Sequence, residues 1–382
     1  MSEHSQQAVS KLDNITALDG VRALAVALVM AVHYHEQFGG GWIGVQLFFV
    51  LSGFLITRIL LNAKSEAAGI GAYLKVFWAR RMLRIFPLYI AFLLVGEVLW
   101  HFTAVPQTWP VARPWLWTYS LNFGHMLGLV PISDVYSHFW SLAVEEQFYL
   151  LWPFVIWFSS DRGLRALVIA MLALMPLVRV LLVHFNVVTT FQLYFFTPTL
   201  MDGFAAGAAL VLFDLQWMQR VRWWAVGGAV VTIALGVLVN VQNGVHFAIW
   251  SLGYPYFMAN DLQYAWGYTL LNLTAALLIL ACVRGEASLF ANRYLTAFGK
   301  ISYGVYIIHR PVYRVITALT PHLAAYLPSL VLRGVNVIIF VAGSTLLAFL
   351  SYRYFETPFL KLKRHFMYHR PRSTAVSGPI PG

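Results

Sequence analysis

The sequence holds a single cysteine, Cys282, so it can form neither a disulfide within the chain nor a cysteine-based metal cluster. Charge is nearly as scarce. Asp, Glu, Lys and Arg make up 11% of the 382 residues, against roughly a quarter in soluble domains. That composition excludes a soluble enzyme carried on a membrane anchor. Further absences narrow the chemistry. No GxxxxGK[ST] occurs, so ATP-driven pumping has no phosphate loop to rest on. No HExxH zinc site is present, and no metal is expected. No GxSxG nucleophile elbow appears. The amino terminus, MSEHSQQAVSKLDN, has neither the basic start nor the early apolar core of a cleavable signal. The first span is therefore expected to act as the insertion signal. No internal repeat with a period of about 20–50 residues is evident, which removes a solenoid.

What the sequence has in abundance is apolar surface: 60% of its residues are hydrophobic. A membrane-crossing helix needs about 20 mostly apolar residues. By that rule spans lie near 17–37, 42–62, 85–104, 140–159, 164–184, 192–213, 222–241, 264–283, 298–318 and 329–355. The expected fold is an all-α polytopic membrane protein of about ten helices. Segment 105–139 holds Pro106, Pro110, Pro114 and Pro131 among aromatics and reads as a lumenal or re-entrant segment. The net charge of +11 invites a nucleic-acid reading. Its distribution argues for topology instead, with no nucleic-acid partner. Lys64, Lys75, Arg80, Arg81, Arg84, Arg162, Arg165, Arg220, Arg222, Arg284, Arg293, Lys300 and the tail arginines all fall in alternate loops. Cytoplasmic loops collect Lys and Arg, so both termini are expected inside. The chain divides into a cytoplasmic tail at 1–16, a transmembrane domain at 17–360 and a basic tail at 361–382 expected to be disordered. No soluble catalytic domain is expected on it.

Four stretches carry residues that are costly in hydrocarbon. In the first span, Arg22 and His33 are eleven positions apart. That is three turns plus about 20°, so they share one face, roughly 16 Å apart along the axis. Ionisable groups inside a span are functional candidates by default. Histidine has an unperturbed pKa of about 6.5 and suits proton removal from a hydroxyl. Glu36 lies one turn beyond His33 and is placed to orient it. The second stretch, at the start of the third span, carries Arg80 and Arg84 on one face with Arg81 beside them. Guanidinium groups grip phosphates through paired bonds. A phosphorylated donor entering from the cytoplasm and a phospholipid headgroup both satisfy such a cluster. In the third, Ser141, Glu145 and Tyr149 form one polar stripe at i, i+4, i+8. Glu145 is the inward member of the Glu145–Glu146 pair, suited to orienting a histidine or pairing an arginine. The fourth sets Ser302, Tyr306 and His309 near one face. Asp202 sits in a span with Gly203 and Gly207 and requires a partner that the sequence does not name.

These stretches together resemble the membrane-bound acyltransferase family 3, the O-antigen and exopolysaccharide acetylase type. The matching runs are LDGVRALAV with His33 after it, GVQLFFVLSGFLIT, RRMLRIFPLY, SLAVEEQFYLLWP, ISYGVYIIHRPV and a closing ETP, in order from 17 to 360. Arg310 stands where relatives often carry an aromatic residue. The resemblance implies a ten-helix enzyme in the bacterial cytoplasmic membrane. Such an enzyme moves an acyl group, often acetyl, from cytoplasmic acyl-CoA to a hydroxyl of a glycan, a lipid-linked saccharide or another hydroxylated acceptor. Acyl-CoA is then a co-substrate and no tightly bound cofactor is expected. The catalytic set implied is His33, Glu145 and Arg22. The CoA-binding set is Arg80, Arg81 and Arg84 with Arg22. Glu36, Ser141, Tyr149 and His309 are implied as orienting residues. The rival reading is a transporter that moves an acyl group or a lipid-linked saccharide without forming a bond.

Overall fold

The computed structural model describes residues 15–34, 39–102, 108–132, 135–244, 251–255, 258 and 262–368, and no strand occurs among them. Its helices in chain order are α1 (Thr16–Tyr34), α2 (Ile43–Glu66), α3 (Ile70–Phe102), α4 (Trp109–Trp117), α5 (Leu121–Met126), α6 (Trp140–Phe158), α7 (Asp161–His184), α8 (Thr190–Leu193), α9 (Met201–Leu212), α10 (Val221–Gln242), α11 (Gln263–Val283), α12 (Arg293–Lys300), α13 (Ser302–Ala324), α14 (Ser329–Leu350) and α15 (Thr357–Lys361). Seven are long and apolar enough to cross a membrane: α1, α2, α3, α7, α10, α11 and α14 with its continuation. The protein is an all-α polytopic membrane protein.

Three expected spans have a different form. The run near 85–104 begins earlier, because α3 is continuous from Ile70 over 33 residues, roughly 50 Å at 1.5 Å per residue. The arginine cluster therefore lies in the body of a helix and not at a loop-to-helix junction. Nothing between Ile70 and Pro87 breaks the helix, and the first half of α3 projects beyond the apolar stretch. The run at 192–213 is broken. Phe196 is extended (φ −83°, ψ 107°) ahead of a 3₁₀ turn at Thr197–Leu200, and only α9 continues as α-helix. Pro198 supplies no amide hydrogen to an α-helical ladder running through this point. The run at 298–318 is divided at Ile301 between α12 and α13. Among its described residues, segment 105–139 holds only short helices: α4 has nine residues and α5 six. The basic stretch from 361, expected to be disordered, is ordered as far as Tyr368. A π-helical turn (Ser351–Glu356), α15 and a 3₁₀ turn (Leu362–His365) carry the chain back against α3, and Arg80 Nη1 donates to the Phe366 carbonyl at 3.0 Å. Residues 369–382 lie outside the described residues.

The centre of the fold is the crossing of α2 and α9, where side chains are absent by necessity. A Cβ on Gly53 would lie 2.1 Å from the Phe204 carbonyl oxygen, and one on Gly207 would lie 1.9 Å from that of Val50. Between membrane helices, close backbone packing through small residues replaces the hydrophobic drive available in water. Beside this crossing, Asp202 meets the partner the sequence withheld. Arg179 of α7 reaches its carboxylate at 2.5 Å, and both side chains are fully buried. The guanidinium also donates to the Thr199 and Ala265 carbonyls and to Thr269 Oγ1, while Thr269 donates to the other carboxylate oxygen at 2.5 Å. Every donor direction of the arginine is used, which is what a charge pair removed from water requires. These contacts fix α7, α9 and α11 around α2 and leave the opposite side of α2 to face α1, α6 and α13.

Candidate active site

Two cavities lie on that side of α2. The inner one, about 140 Å³, is lined by Arg22 of α1, Ser52 of α2, Arg81 and Arg84 of α3, Ser141, Glu145 and Tyr149 of α6, and Ser302, Tyr303 and Tyr306 of α13. Five helices therefore converge on one narrow space, and each contributes a polar residue to it. Ser52 Oγ donates to Glu145 Oε1 at 2.7 Å and sits 3.1 Å from Tyr149 Oη. Arg22 is paired with Asp19 one turn back. Trp78 Nε1 donates to the Tyr149 carbonyl at 3.1 Å, tying α3 to α6, and Tyr303 Oη donates to the Ile85 carbonyl at 2.5 Å, tying α13 to α3. The arginines thus face the polar stripe of α6.

The outer cavity, about 710 Å³, is lined by Trp42, Trp140, Tyr194, Tyr313, Arg310, Arg314, His33 and His138 among others. Three histidines meet at its wall. The His33 and His309 rings are 5.0 Å apart, His138 and His309 4.8 Å, and His33 and His138 5.8 Å between centroids. His33 Nδ1 and His309 Nε2 are 2.8 Å apart, and His309 Nδ1 is 3.1 Å from the Val305 carbonyl. The tautomers follow from this chain of contacts. A carbonyl only accepts, so His309 Nδ1 carries its proton and Nε2 carries a lone pair. His33 Nδ1 must then donate to His309, which leaves His33 Nε2 unprotonated. His138 is set in the same way: Nε2 donates to the Tyr306 carbonyl at 2.8 Å. Its Nδ1 is a buried acceptor without a hydrogen-bond partner among the described residues. No group of three ligating side chains among the described residues holds the geometry of a metal site.

The two cavities share a wall. Val45 and Tyr306 line both. Tyr306 Oη donates to the His138 carbonyl at 2.5 Å and lies 2.5 Å from Ser141 Oγ. The phenol ring thus stands between the guanidinium-lined space and the histidine-lined one.

The sequence-derived residues divide between these cavities. Arg22, Arg81, Arg84, Ser141, Glu145 and Tyr149 line the inner one, while His33 and His309 meet at the outer one. Arg80 is exposed beside them and bonds the C-terminal segment. The eleven-residue spacing of Arg22 and His33 therefore spans both cavities along one helix. Glu145 does not contact His33: its carboxylate is bonded to Ser52 in the other cavity, and His33 Nδ1 meets His309 Nε2. Glu36 lies outside the described residues. Two residues were not singled out from the sequence. Ser52 is inside the GVQLFFVLSGFLIT run, and a hydroxyl facing Glu145 has no one-dimensional signature. His138 lies three residues before Ser141, and its proximity to the SLAVEEQFY stripe was the one available sign.

A family model described as an acyltransferase domain matches residues 15–353. The chain is 29% identical over 370 residues to the peptidoglycan O-acetyltransferase OatA of Listeria monocytogenes, an alignment covering 91% of this chain and 56% of the relative. It is 29% identical over 374 residues to the O-acetyltransferase OatA of Staphylococcus aureus, covering 91% of this chain and 57% of that protein. It is 29% identical over 396 residues to the putative peptidoglycan O-acetyltransferase YrhL of Bacillus subtilis, covering 96% and 59%. The chain thus spans a little over half the length of the curated relatives it matches. No solved structure matches it.

Proposed function

The chain belongs to acyltransferase family 3, and from that membership we propose that it moves an acyl group, acetyl foremost, from acyl-CoA to a glycan hydroxyl within the membrane. One observation carries the reading. A cavity lined by Arg22, Arg81 and Arg84 and a second cavity with His33 and His138 in its lining share a wall at Val45 and Tyr306. The loop charges favour an orientation with both termini in the cytoplasm. That orientation turns the arginines toward the compartment where acyl-CoA is made and His33 toward the far side. The named relatives are bacterial, and the corresponding location is the bacterial cytoplasmic membrane.

In this mechanism Arg81 and Arg84, with Arg22 deeper in, take the CoA diphosphate by paired charge-assisted bonds. The pantetheine arm threads the inner cavity and brings the thioester past Tyr306. The acceptor sugar enters the outer cavity, where Trp42, Trp140 and Tyr313 offer flat apolar faces. His33 Nε2 removes the proton of the acceptor hydroxyl as its oxygen attacks the thioester carbonyl carbon. The carbon–sulfur bond breaks, and the sulfur leaves carrying the proton that His33 returns. His309 acts on this step through His33, by fixing the tautomer that presents a lone pair. The relatives named as acting on peptidoglycan support a saccharide acceptor.

The test is purified full chain in nanodiscs given radiolabelled acetyl-CoA and a panel of oligosaccharides containing N-acetylhexosamine. A base-labile labelled ester is the expected product. Acetyl-CoA binding without any labelled ester would overturn the enzyme reading and leave a carrier that forms no bond.

A further inference from the structure

The ordered C-terminal segment brings a cation to the arginine cluster that no recognised motif contains. The 3₁₀ turn at Leu362–His365 lies against α3, and Arg80 anchors it through the Phe366 carbonyl at 3.0 Å. Lys363, on that turn, is half-buried and within electrostatic reach of Arg80, Arg81 and Arg84. Acids lie near other members of the group. Asp19 pairs with Arg22, Glu146 is in reach of Arg81, and Glu356 is in reach of Arg84. The charged groups acting on Lys363 are all cations. The rest of the tail, His369 to Gly382, contains no acid. Holding an ammonium out of water among three guanidinium groups is unfavourable unless an anion of high charge density joins them.

The cations form two tiers. Arg22, Arg81 and Arg84 line the inner cavity. Arg80 and Lys363 stand outside it, on the surface formed by α3 and the C-terminal turn. We propose that Lys363 and Arg80 form a subsite for a phosphate monoester dianion, the 3′-phosphate at the nucleotide end of CoA. This rests on the acyl-CoA reading above. With the pantetheine arm in the narrow cavity and the diphosphate at its mouth on Arg81 and Arg84, the ribose lies outside, and its 3′-phosphate falls in the outer tier. An ammonium suits this role as a compact point charge beside the planar guanidinium of Arg80. An anionic phospholipid headgroup offers the same phosphate chemistry from a different source.

The experiment compares acetyl-CoA with acetyl-3′-dephospho-CoA as donors for the full chain in nanodiscs of phosphatidylcholine alone, then with added phosphatidylglycerol. The wild type is expected to show a KM about tenfold lower for acetyl-CoA, in either lipid. Lys363→Gln removes that preference by raising the acetyl-CoA KM, and Lys363→Arg keeps most of it. Size-exclusion profiles and thermal midpoints show that both variants fold. Equal KM values for the two donors in the wild type overturn the inference, as does an unchanged preference in Lys363→Gln. A Lys363 effect that appears only with phosphatidylglycerol assigns the subsite to lipid and also overturns it. Failure to use or bind either donor is a different result and overturns the acyl-CoA reading itself.

Discussion

His138 and Tyr306 are bonded to each other twice: the imidazole Nε2 donates to the tyrosine carbonyl at 2.8 Å, and the phenol donates to the histidine carbonyl at 2.5 Å. The clasp joins the segment before α6 to the N-terminal part of α13 and sets the phenol ring between the two cavities. A neutral hydrogen bond contributes about 1 kcal/mol net. The clasp is therefore strong enough to hold a wall yet weak enough for the proposed thioester to displace.

Tyr306→Ala is expected to open the wall and let water from the outer cavity reach the bound thioester. Thiol release from acetyl-CoA in the absence of acceptor should rise several-fold, while ester formation with acceptor falls. Tyr306→Phe keeps the ring and should show the smaller effect. Acceptor-independent thiol release equal to wild type in Tyr306→Ala would mean that the ring does not separate the cavities.

His33→Ala should insert and fold normally and lose transfer by a factor of about 10² to 10⁴, the usual range for a general base. His309 tests a finer point. Gln presents a carbonyl oxygen near the place of the imidazole Nε2 and still accepts from His33 Nδ1, whereas Ala does not. The expected order of kcat is wild type, then His309→Gln, then His309→Ala, with the acetyl-CoA KM unchanged throughout. If Gln and Ala fall equally, His309 acts by filling space and not by setting a tautomer.

The buried pair of Arg179 and Asp202 is expected to matter for folding alone. Asp202→Ala strands a fully buried guanidinium, a loss of about 3–5 kcal/mol. It should lower the thermal midpoint and the yield sharply, with the kcat of the surviving fraction within about twofold of wild type. The double change Arg179→Met with Asp202→Leu removes both charges and should recover part of the loss. It cannot recover all, because the Thr199 and Ala265 carbonyls lose their donor. Equal stability of the single and double variants would argue that the pair is not held as a desolvated unit.

These residues also mark how far one sequence reaches. Seven of the ten expected spans were legible because about 20 apolar residues in a row have few other uses. Arg22 and His33 were legible because helical periodicity alone places them on one face. Breaks inside apolar runs were not, so α9 read as a full span. The separation of Glu145 from His33 was not legible either. Helix contacts are set by side-chain and backbone fit across the bilayer, and the Ser52–Glu145 bond joins residues 93 positions apart. Asp202 announced a need for a partner, but Arg179 sits in an apolar helix like any topology-setting arginine, and only the packing of α7 against α9 pairs them.

The crossing of α2 and α9 makes the most stringent claim about packing, and two glycines separate it from a general dislike of substitution. A Cβ at Gly207 would lie 1.9 Å from the Val50 carbonyl oxygen and 2.5 Å from the Phe54 amide nitrogen, both backbone atoms that no rotamer change can move. Gly207→Ala must therefore push α9 away from α2. Because α2 carries Ser52 into the inner cavity and Val45 into the shared wall, displacement should disturb donor binding as well as stability. A lower thermal midpoint together with a raised acetyl-CoA KM is expected. Gly334, in α14, meets nothing within 4 Å at its Cβ position. Gly334→Ala should be neutral or stabilising by about 0.5–1 kcal/mol, since alanine loses less backbone freedom in a helix. Parallel thermal unfolding of the two variants in the same detergent checks both. A Gly207→Ala protein as stable as Gly334→Ala would show that the helices do not meet backbone to backbone, and the placement of the inner cavity on the far side of α2 would fall with it.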